Sequence, residues 1–221
     1  MKDIIIIGAG GIGREVIFII EEINKQTPTL NILGFIDDNK EIHGKVINGY
    51  SVLGDLSYLD NYEKKEEKPE VVIAIANYNV KKNIVFKLNN KFNFATIIHP
   101  EVSIHNTVTI GNGSIIYKGV IMTTNITIGN HVIISPKCGI GHDSIIKDYV
   151  SLLWNVNISG NDVIEEGVLI GSAATVIQGK NVGQAAVIGA GAVVVKDILN
   201  NTTNVGVPSN IINTINKLIY N

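Results

Sequence analysis

Cysteine is nearly absent: Cys138 is the only one in 221 residues, beside a single tryptophan and two methionines. One thiol excludes an internal disulfide framework and fits a reducing compartment. An excess of charge of one sign is missing too. The formal net charge is −2 and the isoelectric point lies near 6.2, which argues against a nucleic-acid or anionic-membrane surface. The one basic cluster, Lys64-Lys65, is followed at once by Glu66-Glu67 and reads as a solvated loop. No apolar run approaches the ~20 residues a bilayer requires; Val16 to Ile20 is among the longest. Met1-Lys2-Asp3 leads directly into Ile4 to Ile7 and a glycine turn, which reads as a buried strand rather than a signal peptide. These absences predict a cytoplasmic protein with no membrane insertion and no nucleic-acid partner.

What is present divides into two halves. The first, residues 1–94, alternates strand and helix signals as α/β domains do. Ile4 to Ile7 reads as a strand, Arg14 to Asn24 as a helix, Leu30 to Ile36 as a strand ending in Asp37-Asp38. Val71 to Ala76 reads as another strand and Tyr78 to Asn89 as a second helix. Gly8, Gly10 and Gly13 fit the pattern GxGxxG directly after the first strand. Glycines there permit a tight turn, and a helix N-terminus offers free N–H groups to a phosphate. Asp37, at the end of the second strand, stands where a ribose or base contact is expected. A full dinucleotide-binding fold would need about twice the length, and no later segment offers a hydride-transfer site. The loop therefore reads as a holder of nucleotide phosphate rather than as part of an oxidoreductase, with a glycine turn that serves packing only as the other reading.

The second half, residues 95–208, has a different grammar. Every sixth residue from Ile98 to Val194 is Ile, Val, Leu or Met, through Ile104, Ile110, Met122, Leu152 and Ile188. Neither a helix (period 3.6) nor a half-buried strand (period 2) produces this. A short strand and a turn of fixed length must repeat, and three such hexads make one triangular coil of eighteen residues. Coils stack at roughly the 4.8 Å strand spacing, with a mostly small residue two positions before each marker. Asp162 and Lys180 break the small-residue rule. They are eighteen apart, so they are predicted to stack in adjacent coils as a mutual pair, since a lone buried charge is costly. Residues 209–221 carry Ile211, Ile212, Ile215 and Leu218 at helical spacing and read as a short helix.

Those hexads, closed by Gly206-Val207-Pro208, resemble the left-handed parallel β-helix of the hexapeptide-repeat acyltransferases. Both halves together resemble the PglD/NeuD type, the nucleotide-amino-sugar and sialic acid acetyltransferases. The resemblance implies a Rossmann-like N-terminal domain that holds a nucleotide-linked sugar at Gly10, Gly11, Ile12, Asp37, Asp38, Ala76 and Asn77. It implies acetyl-CoA as co-substrate against later coils at Ser151, Ser172, Ala173, Ala190, Gly191 and Pro208. It also implies a homotrimer with interfacial sites. The chain departs from many members at Ile12 and Ala76, and from some at Ser151.

Among five histidines, His142 stands out: it follows Gly141, precedes Asp143 and falls at a predicted coil corner. Acetyl transfer to an amine or hydroxyl needs a base, for which histidine is suited near neutrality. A neighbouring carboxylate, Asp143, orients such a ring and stabilises its cation. Gly141-His142-Asp143 also matches the family's His-acid motif. Gly160, eighteen residues on, is predicted to lie one coil above His142. There its N–H would stabilise the oxyanion of a tetrahedral intermediate; a corner glycine at φ > 0 is the other reading. His99 is expected to cap the array, His105 and His131 to face solvent, and His43 to lie in a polar loop. No two histidines have ligand spacing, so no metal is expected.

The reading is an acetyl-CoA-dependent N-acetyltransferase acting on a UDP- or dTDP-4-amino-4,6-dideoxy sugar of bacterial surface-glycan biosynthesis, by direct attack in a ternary complex. The alternatives are a sialic acid O-acetyltransferase and a non-catalytic trimeric nucleotide-binding scaffold.

Overall fold

The structure, a computed structural model, describes residues 1–62, 65–88 and 91–214. It divides into two compact units, one of residues 1–100 with 112–114, the other of residues 101–111 with 115–221.

The first unit is a five-stranded sheet with helices on both faces. In chain order it runs β1 (Lys2–Ile7), α1 (Gly11–Gln26), β2 (Leu30–Ile36), β3 (Val46–Ile47), β4 (Tyr50–Gly54), β5 (Glu70–Ile73) and α2 (Tyr78–Leu88). The spatial order is β3-β4-β2-β1-β5, parallel except for the β3–β4 hairpin. β1 is a run of isoleucines because both of its faces are covered. Ile5, Ile7, Val71 and Ile73 share a core with Leu59, Ile84 and Leu88. Alternation sends Ile4, Ile6 and Val72 to the other face, over which α1 lays its buried Val16, Ile17 and Ile20. α1 ends at Gln26 because Pro28 bars Thr27 from a helical conformation. The C-terminal ends of β1, β2 and β5 lie side by side, so the turns that follow them form one edge of the sheet.

The second unit is a stack of triangular coils. Strands two residues long recur every six residues, and each pairs in parallel with the strand eighteen residues on, as Ile128 with Ile146 and Ile146 with Ile164. Three flat faces result. One contains Ile145–Ile146, the next Ser151–Leu152 and the third Asn157–Ile158. From Ile116 to Val194 every hexad marker is buried, most of them fully. Ile104 departs from the series: it is 39% exposed and belongs to no strand. It lies in the segment that leads into the array, before the first strand of its own face.

The turns share one backbone state. A residue with positive φ occurs at every sixth position from Gly113 to Gly191 without omission, among them Asn125 (φ 57), Asp143 (φ 60) and Asn161 (φ 62). Asn and Asp tolerate this left-handed conformation better than other side chains, because their short polar groups bond locally.

Two expectations are corrected. Asn210–Thr214 is not helical: it is a strand paired antiparallel with Thr202–Val205, and that ladder satisfies backbone groups that a short helix would leave open. Ile215 and Leu218 lie outside the described residues. Asp162 and Lys180 do stack in adjacent coils, but not as an ion pair. The Asp162 carboxylate accepts the backbone N–H of Lys180 at 2.7 Å, while the ammonium turns to the Gly179 carbonyl at 3.3 Å.

Asp162 is fully buried and its Oδ2 has no hydrogen-bond partner among the described residues. Burial raises its pKa above the ordinary carboxylate value, against smaller opposing effects of backbone N–H groups. An acid with a raised folded-state pKa binds its proton more tightly when folded. Stability therefore rises as pH falls through that pKa, and the gain is complete below the unfolded value. The thermal midpoint of the wild type relative to Asp162→Asn is expected to increase as pH falls from neutrality toward the ordinary carboxylate range. A difference that stays flat across a melting series would refute this account.

Candidate active site

The dyad expected from the sequence is formed. His142 Nδ1 lies 2.8 Å from Asp143 Oδ2, on the edge between the faces of Gly139–Ile140 and Ile145–Ile146. Both side chains are about half exposed, 51% and 47%. A second group, missed in the sequence, completes the arrangement: Asn125 Nδ2 donates to Asp143 Oδ1 at 3.0 Å. These bonds, that of Asn125 first, hold the Asp143 carboxyl below its ordinary pKa. A carboxylate only accepts hydrogen bonds, so Nδ1 of a neutral His142 carries the proton and Nε2 keeps its lone pair. That is the tautomer a base requires.

Gly160 sits against this ring. A Cβ built on it would lie 2.6 Å from both Nε2 and Cε1 of His142. The ring thus fills the place of a side chain at residue 160. Gly160 is not among the positive-φ glycines, so steric exclusion by His142, not a left-handed turn, calls for glycine there. Its carbonyl accepts from Gly179 N–H at 3.1 Å, while its own N–H donates to no described group.

The residues expected to hold the coenzyme fall elsewhere. Ser172-Ala173 and Ala190-Gly191 stack, the N–H of Gly191 donating to the Ser172 carbonyl at 2.8 Å. They line the edge between the faces of Ser151–Leu152 and Asn157–Ile158, below which Trp154 stands 49% exposed. Within one chain this edge and that of His142 are separated by a full face. Ser151 is buried in its strand. Pro208 is exposed, between the two terminal strands.

In the first unit the glycines have different tasks. Gly8 takes φ 103, and a Cβ on Gly13 would lie 1.9 Å from the Gly8 carbonyl oxygen, so both serve the close approach of α1 to its loop. Gly10 and Gly11 would place a Cβ in open space. Bare backbone there leaves room for a ligand at the first turn of α1, whose N–H groups have no helical partners. Asp37 is partly committed to the fold, accepting from Ala9 N–H and Asn39 N–H, each at 2.9 Å. Asp38 is exposed beside it and Ile12 half-buried. Asn77 follows Ala76 and caps α2, its Oδ1 accepting from Val80 N–H at 3.1 Å.

The other histidines take no part in the dyad. His43 Nε2 lies 2.7 Å from the Asp37 carbonyl. His99 is buried, with Phe18 beside it. His105 is exposed, with Nδ1 2.9 Å from Thr107 Oγ1. His131 does not face solvent: it is buried and stacks on Tyr149, one coil further, at 5.4 Å between ring centroids. Among the described residues no three His, Cys, Asp or Glu side chains gather as a metal site, and no helix is long and apolar enough to cross a membrane.

The coil stack and its dyad define a class, the hexapeptide-repeat acyltransferases, built on a left-handed parallel β-helix. Comparison with known proteins narrows it. The PglD N-terminal domain family matches residues 3–88. GDP-perosamine N-acetyltransferase of Escherichia coli O157:H7 is 34% identical over 177 residues, covering 79% of this chain and 77% of that protein. WeeI from Acinetobacter baumannii AYE superposes with a TM-score of 0.84 at 32% identity, over 96% of this chain and 100% of that one. The acetyltransferase domain of PglB from Neisseria gonorrhoeae FA1090, solved in complex with acetyl coenzyme A, gives 0.85 at 25% identity over 95% and 98%. The chain belongs to the sugar acetyltransferases of the PglD/NeuD type.

Proposed function

We propose that this protein transfers an acetyl group from acetyl-CoA to the amine of a nucleotide-linked 4-amino-4,6-dideoxy sugar. The observation that carries the reading is the His142–Asp143 dyad, with its free Nε2 held against Gly160. The acceptor amine attacks the thioester carbonyl carbon, and His142 Nε2 takes the proton that the new C–N bond makes acidic. The C–S bond breaks as the tetrahedral intermediate collapses, and the same proton passes to the leaving sulfur. The Gly160 N–H, uncommitted within the fold, is the donor offered to the oxyanion. Asp143 stays ionised and orients the ring.

The nucleotide occupies the open backbone at Gly10, Gly11 and Ile12, with Asp37, Asp38, Ala76 and Asn77 around it. Acetyl-CoA takes the edge of Ser172-Ala173 and Ala190-Gly191, with Ser151 and Pro208 at its margins. Because that edge and the His142 edge are distinct in one chain, the reading includes a homotrimer in which one copy's dyad meets the coenzyme edge of the next. GDP joins UDP and dTDP as a candidate nucleotide, since the E. coli relative is named for GDP-perosamine. A role in bacterial surface-glycan synthesis follows from that acceptor class.

The test is thiol release from acetyl-CoA with UDP-, dTDP- and GDP-linked 4-amino-4,6-dideoxy sugars, with sialic acid in parallel. Turnover with an amino sugar and mass gain of one acetyl group is expected. Turnover with sialic acid alone would make it an O-acetyltransferase, and no thiol release with any acceptor would leave a binding scaffold.

A further inference from the structure

We propose that Asn125 is a positioning residue for the dyad, acting on His142 only through Asp143. The inference rests on the reading of His142 as the base. Asn125 lies eighteen residues before Asp143, hence directly beneath it in the stack, and the two have nearly the same backbone conformation, φ 57 and φ 60. Their side chains therefore leave the edge in the same direction, one coil apart. The Asn125 carboxamide donates to Asp143 Oδ1 at 3.0 Å, while Oδ2 faces His142 Nδ1 at 2.8 Å.

A second anchor matters because the dyad is half exposed. Water competes for both lobes of the carboxylate, and a neighbour-to-neighbour hydrogen bond at such a surface stabilises little by itself. With one anchor the carboxylate turns about χ1 and χ2 and releases the ring. With Oδ1 pinned from the coil beneath, only Oδ2 is left to the histidine. Asn125 is itself held: its backbone N–H donates to Thr107 Oγ1 at 2.9 Å, one coil lower again. Three successive coils, through Thr107, Asn125 and Asp143, thus set the orientation of one imidazole.

The deletion to use is Asn125→Gly, since glycine accepts positive φ without strain. Asp143→Gly removes the carboxylate under the same condition. Asn125→Gly is expected to lower kcat about tenfold, within the usual coupling of hydrogen-bonded neighbours, with both KM values within about twofold. In the Asp143→Gly background the same change is expected to cost nothing further. An equal loss in both backgrounds, an unchanged kcat, or a loss confined to the KM of the sugar overturns the proposal. Asn125→Asp keeps the shape and replaces the donor by a like charge, so it is expected to cost more than the glycine variant; an equal or smaller cost also counts against the proposal.

A second readout does not depend on turnover. Long-range ¹H–¹⁵N spectra of labelled His142 report the tautomer directly. The Nδ1–H form is expected to dominate in the wild type and to lose population in Asn125→Gly; unchanged spectra overturn the positioning role. A normal rate in His142→Ala would instead remove the general-base reading while leaving these spectra to decide the positioning.

Discussion

His142→Ala is expected to lower kcat by about 10² to 10⁴, the range that a positioned general base contributes, with the fold intact. The side chain is half exposed at an edge, so its removal opens no cavity, and the hexad core beneath it is untouched. An amine acceptor is nucleophilic when unprotonated, which places the loss near the lower end of the range. A hydroxyl acceptor needs its proton removed during attack and would push it toward the upper end. The size of the effect therefore carries information about the acceptor as well as the base. Thiol release at saturating acetyl-CoA, beside a melting curve, makes the measurement. A variant that turns over near the wild-type rate would end the assignment.

The second large effect concerns a residue with no side chain. Gly160→Ala inserts a methyl 2.6 Å from Nε2 and Cε1 of His142, far inside van der Waals contact. The imidazole is the element with room to move, because it projects toward solvent while residue 160 is fixed by its coil. Turning the ring aside breaks its bond to Asp143 and carries Nε2 away from the amide of residue 160. A displacement of about 1 Å at a reacting group costs on the order of 10² in rate, and that is the expected loss in kcat. In a His142→Ala background there is no ring to displace, so the same substitution should add little. Equal losses in the two backgrounds would mean that Gly160 matters for another reason, and an unimpaired single variant would show that the ring is not held there.

The coil stack was legible because its period is imposed by every turn in succession, and the register that follows from it located Gly160 over His142. The same register placed Asn125 beneath Asp143, but subtracting eighteen from a carboxylate is a step that only a seen hydrogen bond invites. The left-handed turn residue at every sixth position was hidden for a different reason. Glycine occupies only some of those sites, and Asn, Asp, His, Lys, Tyr and Ala occupy the rest, so no residue type marks the conformation. His131 was misjudged for the same cause, since its burial comes from Tyr149 in the next coil.

In the first half, β1, β2 and the glycine turn are legible in the chain, while β3 and β4, two and five residues long, carry a weaker signal. Their signal was Asn48-Gly49, both at positive φ, the dipeptide that closes a tight hairpin. The apolar spacing after Asn210 suggested a helix, and pairing with Thr202–Val205 outweighed it. Ile104 kept the period but not the burial, because periodicity records a residue's phase and says nothing of whether a coil exists on each side of it.

Parallel pairing at a constant offset of eighteen turns chain length into a quantised coordinate at the catalytic edge. One residue gained or lost between His142 and Gly160 shifts the register of the upper coils by a sixth of a hexad and moves the glycine away from the ring. A whole coil inserted there separates the two by a further layer. A length change that spares the site must therefore bulge outward at a turn or come as complete coils beyond it, and the interval from 142 to 160 acts as the ruler of the catalytic edge.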